Sequence, residues 1–174
     1  MQFYLGLWWR NHAERHRQDF ITACGQASTY FATAVETFTD LQNLDLKAKY
    51  LNYWAESLHR LERWQELETV ANEALKLHQH QQNPFREARA QGFLAEVALS
   101  RQDWSIAQGF AEDALGSSQT FTNMAPESAW ENNYHRSRYL FSLGRAQFEQ
   151  SQIDEAVNSL EQACKITQPE YDPR

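Results

Sequence analysis

The chain has 174 residues, close to the size of one average domain and long enough to bury a hydrophobic core without a metal or a disulfide. Apolar residues at 42% and aromatic residues at 13% exclude a disordered chain, and a mean hydropathy of -0.72 with no apolar run near twenty residues excludes a membrane span. The formal net charge of -7 has the wrong sign for phosphate-dominated binding, so nucleic acid is not an expected partner.

The small number of cysteines and the first residues of the chain indicate the cellular compartment. Only Cys24 and Cys164 are present, and they lie far apart, which supports neither a disulfide framework nor a zinc cluster. The first residues, MQFYLGLWWRNH, have no basic residue before their short apolar stretch and no small-residue cleavage pattern, so we expect no secretory signal. We therefore expect a soluble, cytoplasmic protein without membrane insertion.

Helices are the expected elements along the whole chain. Apolar residues recur at spacings of three and four, as in Leu51, Trp54 and Leu58, and no segment shows the alternation typical of a strand. Two helix starts are marked by capping residues. Asn83 followed by Pro84 predicts one N-cap, and Asp45 is the expected cap of a helix that starts near residue 46.

Three stretches of the sequence align with one another without gaps. They begin at Arg60 (RLERWQELETVANEALKL), Ser100 (SRQDWSIAQGFAEDALGS) and Glu149 (EQSQIDEAVNSLEQACKI). A weaker copy lies forty residues before the first, and the last copy comes nine residues late, which predicts an exposed inserted loop in the segment around 117–123. A period of about forty residues indicates stacked helical hairpins. The aligned positions are a large residue (Cys24 in the weak copy, then Trp64, Trp104, Ile153), a small or apolar residue (Ala27, Leu67, Ala107, Ala156), an inward residue (Phe31, Ala71, Ala111, Leu160) and an alanine (Ala34, Ala74, Ala114, Ala163).

The two cysteines and three of the six tryptophans, Trp54, Trp64 and Trp104, are expected to lie in the core. Cys24 replaces the leading aromatic residue, and Cys164 stands where the other copies have leucine, so both are expected to be small buried apolar residues. Trp8 and Trp9 are adjacent and cannot share one helix face, so we expect one indole to project outward as a candidate contact for self-association.

With these positions the chain resembles the tetratricopeptide repeat family, most clearly in Leu140, Leu143 and Gly144 followed by Ala156 and Ala163. The resemblance implies an all-α, right-handed superhelical array of about four antiparallel helix pairs, an α-solenoid with a period of about forty residues. The expected divisions are a degenerate N-terminal helix pair or cap (1–45), two repeats (46–83 and 84–118), the inserted loop (119–129), a third repeat (130–168) and a tail (169–174).

In the resembling family, ligands lie against the first helices of the pairs, on the concave face. The matching positions form a groove of mixed charge with a basic and aromatic end. The carboxylate clamp of the family is not supported, because Asn52 and Glu56 stand where it needs lysine and asparagine. The candidate partner-binding residues are Lys49, Asn52, Glu56, Arg60, Arg89, Arg138, Phe141, Arg145 and Phe148.

No catalytic constellation, glycine-rich phosphate loop or cofactor motif is recognisable. His12 and His16 have a spacing that can chelate a metal, but Glu14 is not placed as in the zinc-protease motif and no third ligand is evident, so we expect a solvated helix face and no metal or cofactor. We therefore expect a non-catalytic scaffold that binds a protein or peptide in a concave groove, as one module of a larger regulatory or assembly protein. Two alternatives are a peptide-sensing arm that switches an attached effector domain and a helical metalloprotein or enzyme using His12, Glu14 and His16.

Overall fold

The computed structural model of the chain describes residues 2–125 and 129–167, with side chains described except at 129–131 and 167, and these residues form helices joined by short turns. No strand occurs among these residues, which confirms the predicted all-α class. Three-residue connections separate most helices. The elements are α1 (Gln2–Arg15), a 3-10 turn (Arg17–Asp19), α2 (Phe20–Asp40), α3 (Leu44–Arg60), α4 (Trp64–His80), α5 (Pro84–Ser100), α6 (Trp104–Met124), α7 (Ala129–Glu149) and α8 (Ile153–Thr167).

The helices form two compact units, Met1–Gln82 and Asn83–Arg174. In the first unit α1 packs on α2, α2 on α3 and α3 on α4. In the second unit α5 packs on α6, α6 on α7 and α7 on α8, and α5 also contacts α7. Each unit therefore holds two successive helix pairs, and the α5–α7 contact brings together two first helices of neighbouring pairs.

The turns after α2, α3, α4, α5 and α7 share one backbone conformation. In each, the second residue after the helix has a positive φ although it is not glycine. After α5, the Asp103 amide donates to the Ala98 carbonyl at 3.0 Å and the Gln102 amide donates to the Leu99 carbonyl at 3.1 Å, which is the Schellman arrangement. The residues concerned are Gln42 (55°), Glu62 (55°), Gln82 (53°), Gln102 (64°) and Ser151 (63°).

Two asparagines cap the helices that follow these turns. The Asn83 side chain accepts a hydrogen bond from the Arg86 amide at 3.1 Å, with Pro84 at the first helical position, which confirms that predicted start. The cap of α3 is Asn43, whose side chain accepts from the Leu46 amide at 3.0 Å. The prediction of Asp45 as this cap is wrong, because Asp45 lies inside the first turn of α3.

Small side chains lie where neighbouring helices come closest. The alanines of the aligned seam positions are buried, and a Cβ built at Gly144 would lie 2.7 Å from Cγ of Leu160 on α8. No side chain larger than glycine fits there without moving Leu160. Helix contact of this kind explains why the aligned positions are small, as the repeat pattern predicts. The buried alanines of these seams are Ala71, Ala74, Ala107, Ala111, Ala114, Ala156 and Ala163.

The expected loop over residues 119–129 differs from the structure, in which α6 continues as a helix to Met124. Both α6 and α7 contain 21 residues, against 17 in α5, so most of the insertion lengthens two helices that follow each other in the chain and pack together. The added turn is stabilised by Asn132, whose Nδ2 donates to the Ser118 carbonyl at 2.9 Å and to Thr122 Oγ1 at 2.7 Å. Serine and threonine in this segment indicated a loop, but here their hydroxyls form hydrogen bonds within and between helices. Residues 126–128 of the expected loop lie outside the described residues.

The two cysteines differ in burial. Cys24 is buried against Ala13 and Ala23, as predicted. Cys164 is exposed beside Val157, so the prediction that it is buried is wrong. The aligned Leu115 in α6 packs against Tyr139 of the following helix α7. Cys164 belongs to α8, the last helix described, which is why the same repeat position has a different environment.

We expect Ala114→Leu to destabilise the second unit by about 1–3 kcal/mol, because Ala114 is buried against Ala88 and Tyr139 and has no room for a larger side chain. Urea unfolding of both variants measures the change. The matched control is Gly116→Leu on the same helix, since a Cβ at Gly116 meets nothing within 4 Å. Equal stability of the two leucine variants would show that the alanine seam is not tightly packed.

We expect Gln102→Gly to stabilise the protein by about 0.5–1 kcal/mol, because glycine adopts the positive φ of this turn without the steric cost that glutamine has. Thermal unfolding detects this as a higher melting temperature. As a control, Lys76→Gly in the exposed middle of α4 should cost about 1 kcal/mol. A fall in stability for both variants would contradict the left-handed turn.

Candidate functional site

One face of α7 carries aromatic and basic side chains in alternation, and all of them are exposed except the half-buried Arg138. Its residues follow spacings of four and three, which place them on one side of the helix, and we refer to them as the α7 stripe. Phe141 is 55% exposed and Phe148 is 59% exposed, values that are unusual for phenylalanine beside a packed core. The stripe consists of Tyr134, Arg138, Phe141, Arg145 and Phe148.

The opposite face of α7 fixes this orientation by packing into the second unit. Leu143 is buried against Ala95 and Ala111, and Ala146 is buried against Leu99 and other residues of α5 and α6. Because these positions alternate with the stripe along the helix, burying them directs Phe141, Arg145 and Phe148 outward. The repeat seam therefore determines which side of α7 is available to a partner.

A small cavity, open to solvent and with room for about one water molecule, lies between α5 and α7 next to the stripe. Its walls come from both helices. Gly92 leaves room for the Tyr139 ring beside it, since a Cβ there would overlap this ring. The lining residues are Arg89, Gly92, Phe93, Glu96, His135, Arg138 and Tyr139.

The ionisable groups around the cavity differ in their burial and in the charges near them. Burial and the nearby guanidinium groups of Arg89 and Arg138 lower the pKa of His135 to about 3, so the imidazole is neutral at pH 7. Burial raises the pKa of Tyr139 above its ordinary value, so its hydroxyl stays protonated. Glu96 accepts a hydrogen bond from Ser142 Oγ at 3.3 Å and lies 3.7 Å from the Arg138 guanidinium. The residues that line the cavity thus include two arginines, one glutamate and two neutral polar rings.

The first unit contains four of the predicted partner-binding residues, and one of these predictions is wrong. Asn52 is only 2% exposed, and its Nδ2 lies 2.7 Å from Nε2 of the buried His78. The family alignment placed Asn52 on an open helix face, but in this chain that position faces α4 and forms a buried polar pair. Asn52 therefore cannot contact a partner without opening the helix pair.

The other predicted residues of the first unit are half-buried and engaged in local interactions. Arg60 donates to Glu14 Oε1 at 3.1 Å and to Glu56 Oε1 at 2.8 Å, which joins α1 to α3. Lys49 places its Nζ 5.8 Å from the centre of the Tyr50 ring. Burial and the two carboxylates act oppositely on Arg60, and its pKa is raised overall. Arg60, Glu14 and Glu56 therefore form an ion-pair network between α1 and α3.

The residues of the alternative metal site contact one another and α3. The His12 and His16 rings stack with their centres 4.1 Å apart, while Glu14 is bound to Arg60. Within residues 2–125 and 129–167, no three His, Cys, Asp or Glu side chains are grouped so that they could hold a metal ion. Helices in the same part of the chain are all too short or too polar to cross a bilayer.

Of the adjacent tryptophans, Trp8 projects outward and is 54% exposed, whereas Trp9 packs against Ala13 and Cys24. The Trp8 ring stacks on His12 with 5.1 Å between ring centres. One of the two indoles is therefore accessible at the surface of α1.

Sequence reasoning placed Arg89, Arg138, Phe141, Arg145 and Phe148 on first helices, and the structure brings all five to the second unit's cavity or stripe. It missed three neighbouring aromatic residues: Tyr134, His135 and Tyr139. A signal for Tyr139 was present, because glycine at position 92 inside a helix indicates that another side chain approaches closely. Nothing in the sequence indicated that this side chain is a tyrosine of α7.

No protein-family model and no curated protein matches the chain. Solved structures do: a putative kinesin light chain from Podosopora anserina with nearly identical TPR-like repeats has a TM-score of 0.51 at 15% identity, covering 91% of this chain and 92% of its own. BtubC (BKLC) from P. vanneervenii has a TM-score of 0.47 at 12% identity, with 95% and 87% covered. The kinesin light chain structure supports the fold that the helix pairs and their seams define. The chain has a TPR-like helical repeat fold of the all-α, solenoid type.

Proposed function

We propose that this chain is a non-catalytic protein-interaction module that binds a peptide or a partner domain against α5 and α7 of the second unit. The observation that carries this proposal is the α7 stripe, where Phe141 and Phe148 are more than half exposed and alternate with Arg138 and Arg145. Exposed aromatic residues combined with arginine are enriched where proteins bind one another. TPR-like folds are helical repeat scaffolds, which agrees with a binding role.

The two residue types of the stripe have different roles in this proposal. Phe141 and Phe148 bury apolar area against the partner and supply most of the affinity. Arg145 and Arg138 attract acidic groups and orient the partner, although the chain as a whole has a net charge of -7. The local basic character at the stripe therefore favours a partner segment with acidic residues next to apolar ones.

Lys49, Glu56 and Arg60 are proposed as further contacts in the first unit, since each is only half-buried. Arg60 would have to keep or exchange its interactions with Glu14 and Glu56 when a partner binds. We also propose that the module acts in the cytoplasm as part of a larger regulatory or assembly protein. The sparse cysteines and the absence of a recognisable catalytic constellation in the sequence support these points.

We predict that Arg145→Glu combined with Phe148→Ala weakens partner binding at least about tenfold, because it removes one anchor and reverses one charge. Affinity purification from source-cell lysate, read by mass spectrometry, identifies a partner, and calorimetry with that partner measures the loss. The control is Arg101→Glu combined with Ile106→Ala, which changes one charge and one exposed apolar residue outside the stripe. A partner held equally by both double variants would mean that the stripe is not the binding surface.

Self-association through the exposed indole of α1 is a separate part of the proposal. Trp8 and Tyr4 are both exposed one turn apart, and Trp9 is occupied by core packing. We predict that Trp8→Ser shifts the protein toward the monomer in analytical ultracentrifugation. A concentration-independent monomer for the unaltered chain would rule out this contact.

A further inference from the structure

One side of α8 exposes apolar residues at repeat positions that are covered in the preceding helix pair. Ile153 is 49% exposed and Val157 is 50% exposed, and they lie on the same side of the helix, four residues apart. Packing of α8 on α7 uses a different side, through Ala156 and Leu160 beside Gly144. A second helix that ends a repeat array normally has a polar outer face, which α8 lacks at these two positions. We call the side that carries Ile153 and Val157 the outer face of α8.

The corresponding positions of α6 show what covers such a face. In the repeat alignment Trp104 corresponds to Ile153, and Gln108 corresponds to Val157. Trp104 packs against a buried cluster that includes Ala146 of α7. The Gln108 side-chain oxygen accepts a hydrogen bond at 2.8 Å from Gln150 Nε2, in the turn directly after α7. This face of α6 therefore contacts the first helix of the following pair and its turn.

The first unit repeats this relation between α2 and α3. Ser28 has the same repeat position as Gln108 and Val157, and its Oγ accepts a hydrogen bond from Trp54 Nε1 of α3 at 3.1 Å. A following first helix thus contacts this position in both units. In α8 the residue is valine and not a polar residue, so we expect the helix that covers it to be apolar.

This chain carries a first helix with such an apolar side, which is α1. On α7, Gly144 faces α8 of its own pair, and the residue before it, Leu143, faces α6 of the preceding pair. On α1, Gly6 faces α2 of its own pair, and the residue before it, Leu5, is 39% exposed. Trp8 lies near Leu5, three residues further along, and is 54% exposed. We call the side that carries Leu5 and Trp8 the outer face of α1, and it has the position in which a preceding second helix packs.

The charges of the two helices favour a contact between unlike helices. α8 contains three acidic residues and one lysine, so it has a net negative charge even though Lys165 lies 3.9 Å from Glu161. α1 contains two arginines and one glutamate, and that glutamate forms an ion pair with Arg60 of α3. Opposite net charges attract α8 to α1, whereas two copies of α8 repel each other.

We propose that copies of this chain associate end to end, with the outer face of α8 of one copy packed against the outer face of α1 of the next, as α6 packs against α7 within one chain. Burial of Ile153 and Val157 against Leu5 and Trp8 supplies the favourable free energy. This inference rests on the self-association in the proposed function, and it adds the surface that Trp8 contacts. Because the two surfaces differ, every assembly keeps one uncovered surface of each kind, and growth continues beyond the dimer unless a ring closes.

Analytical ultracentrifugation of the full chain over a range of concentrations tests this inference. We expect the unaltered chain to form species that grow with concentration. Val157→Glu places a charge in the outer face of α8 and should weaken association at least about tenfold, as Trp8→Ser should on the other surface. The control is Ile106→Glu on α6, the same kind of change at an apolar residue that is 55% exposed, and it should associate like the unaltered chain.

A mixture of the two defective variants tests the direction of the contact. Trp8→Ser keeps an intact α8 surface, and Val157→Glu keeps an intact α1 surface, so one contact can form between them. At concentrations where the unaltered chain associates, we expect each variant alone to be monomeric and the equimolar mixture to give a heterodimer and nothing larger. Both substituted residues are about half exposed, so melting temperatures close to that of the unaltered chain should show that folding is intact.

Several results would overturn the inference. A mixture that stays monomeric, or a Val157→Glu variant that associates like the unaltered chain, refutes the contact between α8 and α1. If only Trp8→Ser abolishes association, self-association through Trp8 stands and this inference alone is wrong. A concentration-independent monomer for the unaltered chain refutes both and assigns the outer face of α8 to another protein. Partner binding at the α7 stripe is measured with Arg145→Glu combined with Phe148→Ala, so its outcome is independent of these results.

Discussion

Close approach between neighbouring helices is the constraint on which the other features of this protein depend. Alanine or glycine is required wherever one helix backbone lies near a side chain of the next, as at Ala114 beside Tyr139 and at Gly144 beside Leu160. Small residues at fixed positions then determine the rotation of every helix about its own axis. Once that rotation is fixed, it also determines which of the remaining positions face the core and which face the surface.

The candidate site follows from this constraint and not from a separate feature. Leu143 and Ala146 face α5 and α6, so Phe141, Arg145 and Phe148 must face away from them. Gly92 leaves room for the Tyr139 ring of α7 where α5 and α7 are in contact. Residues that pack the helices and residues proposed to bind a partner therefore alternate along the same helices. A variant that tests binding should change only the outward-facing residues, so that a loss of binding is not caused by a loss of stability.

The sequence was sufficient for the repeat, the helical class, the Asn83 cap and the outward position of Phe141, Arg145 and Phe148 on α7. Each of these depends on spacing along one helix or on a local capping interaction, which a single sequence displays directly. The burial of Asn52, the exposure of Cys164 and the long α6 could not be predicted, because each depends on which other helix lies opposite. Asn52 is buried because His78 offers it a polar partner, and α6 is long because Asn132 binds its last turn. Pairings of this kind are set by the assembled helices.

The left-handed turn residues carry a further consequence for how such a chain changes in length. Residues 42, 62, 82 and 102 have this conformation, so the backbone repeats every twenty residues while the side-chain pattern repeats every forty. Losing or duplicating twenty residues would preserve the path of the backbone but place each alanine seam opposite a helix of the wrong kind. A change of forty residues preserves both. Viable duplications and deletions in this architecture are therefore expected to involve whole pairs of helices. The reason is that the side-chain pattern repeats every forty residues, whereas the left-handed turn repeats every twenty.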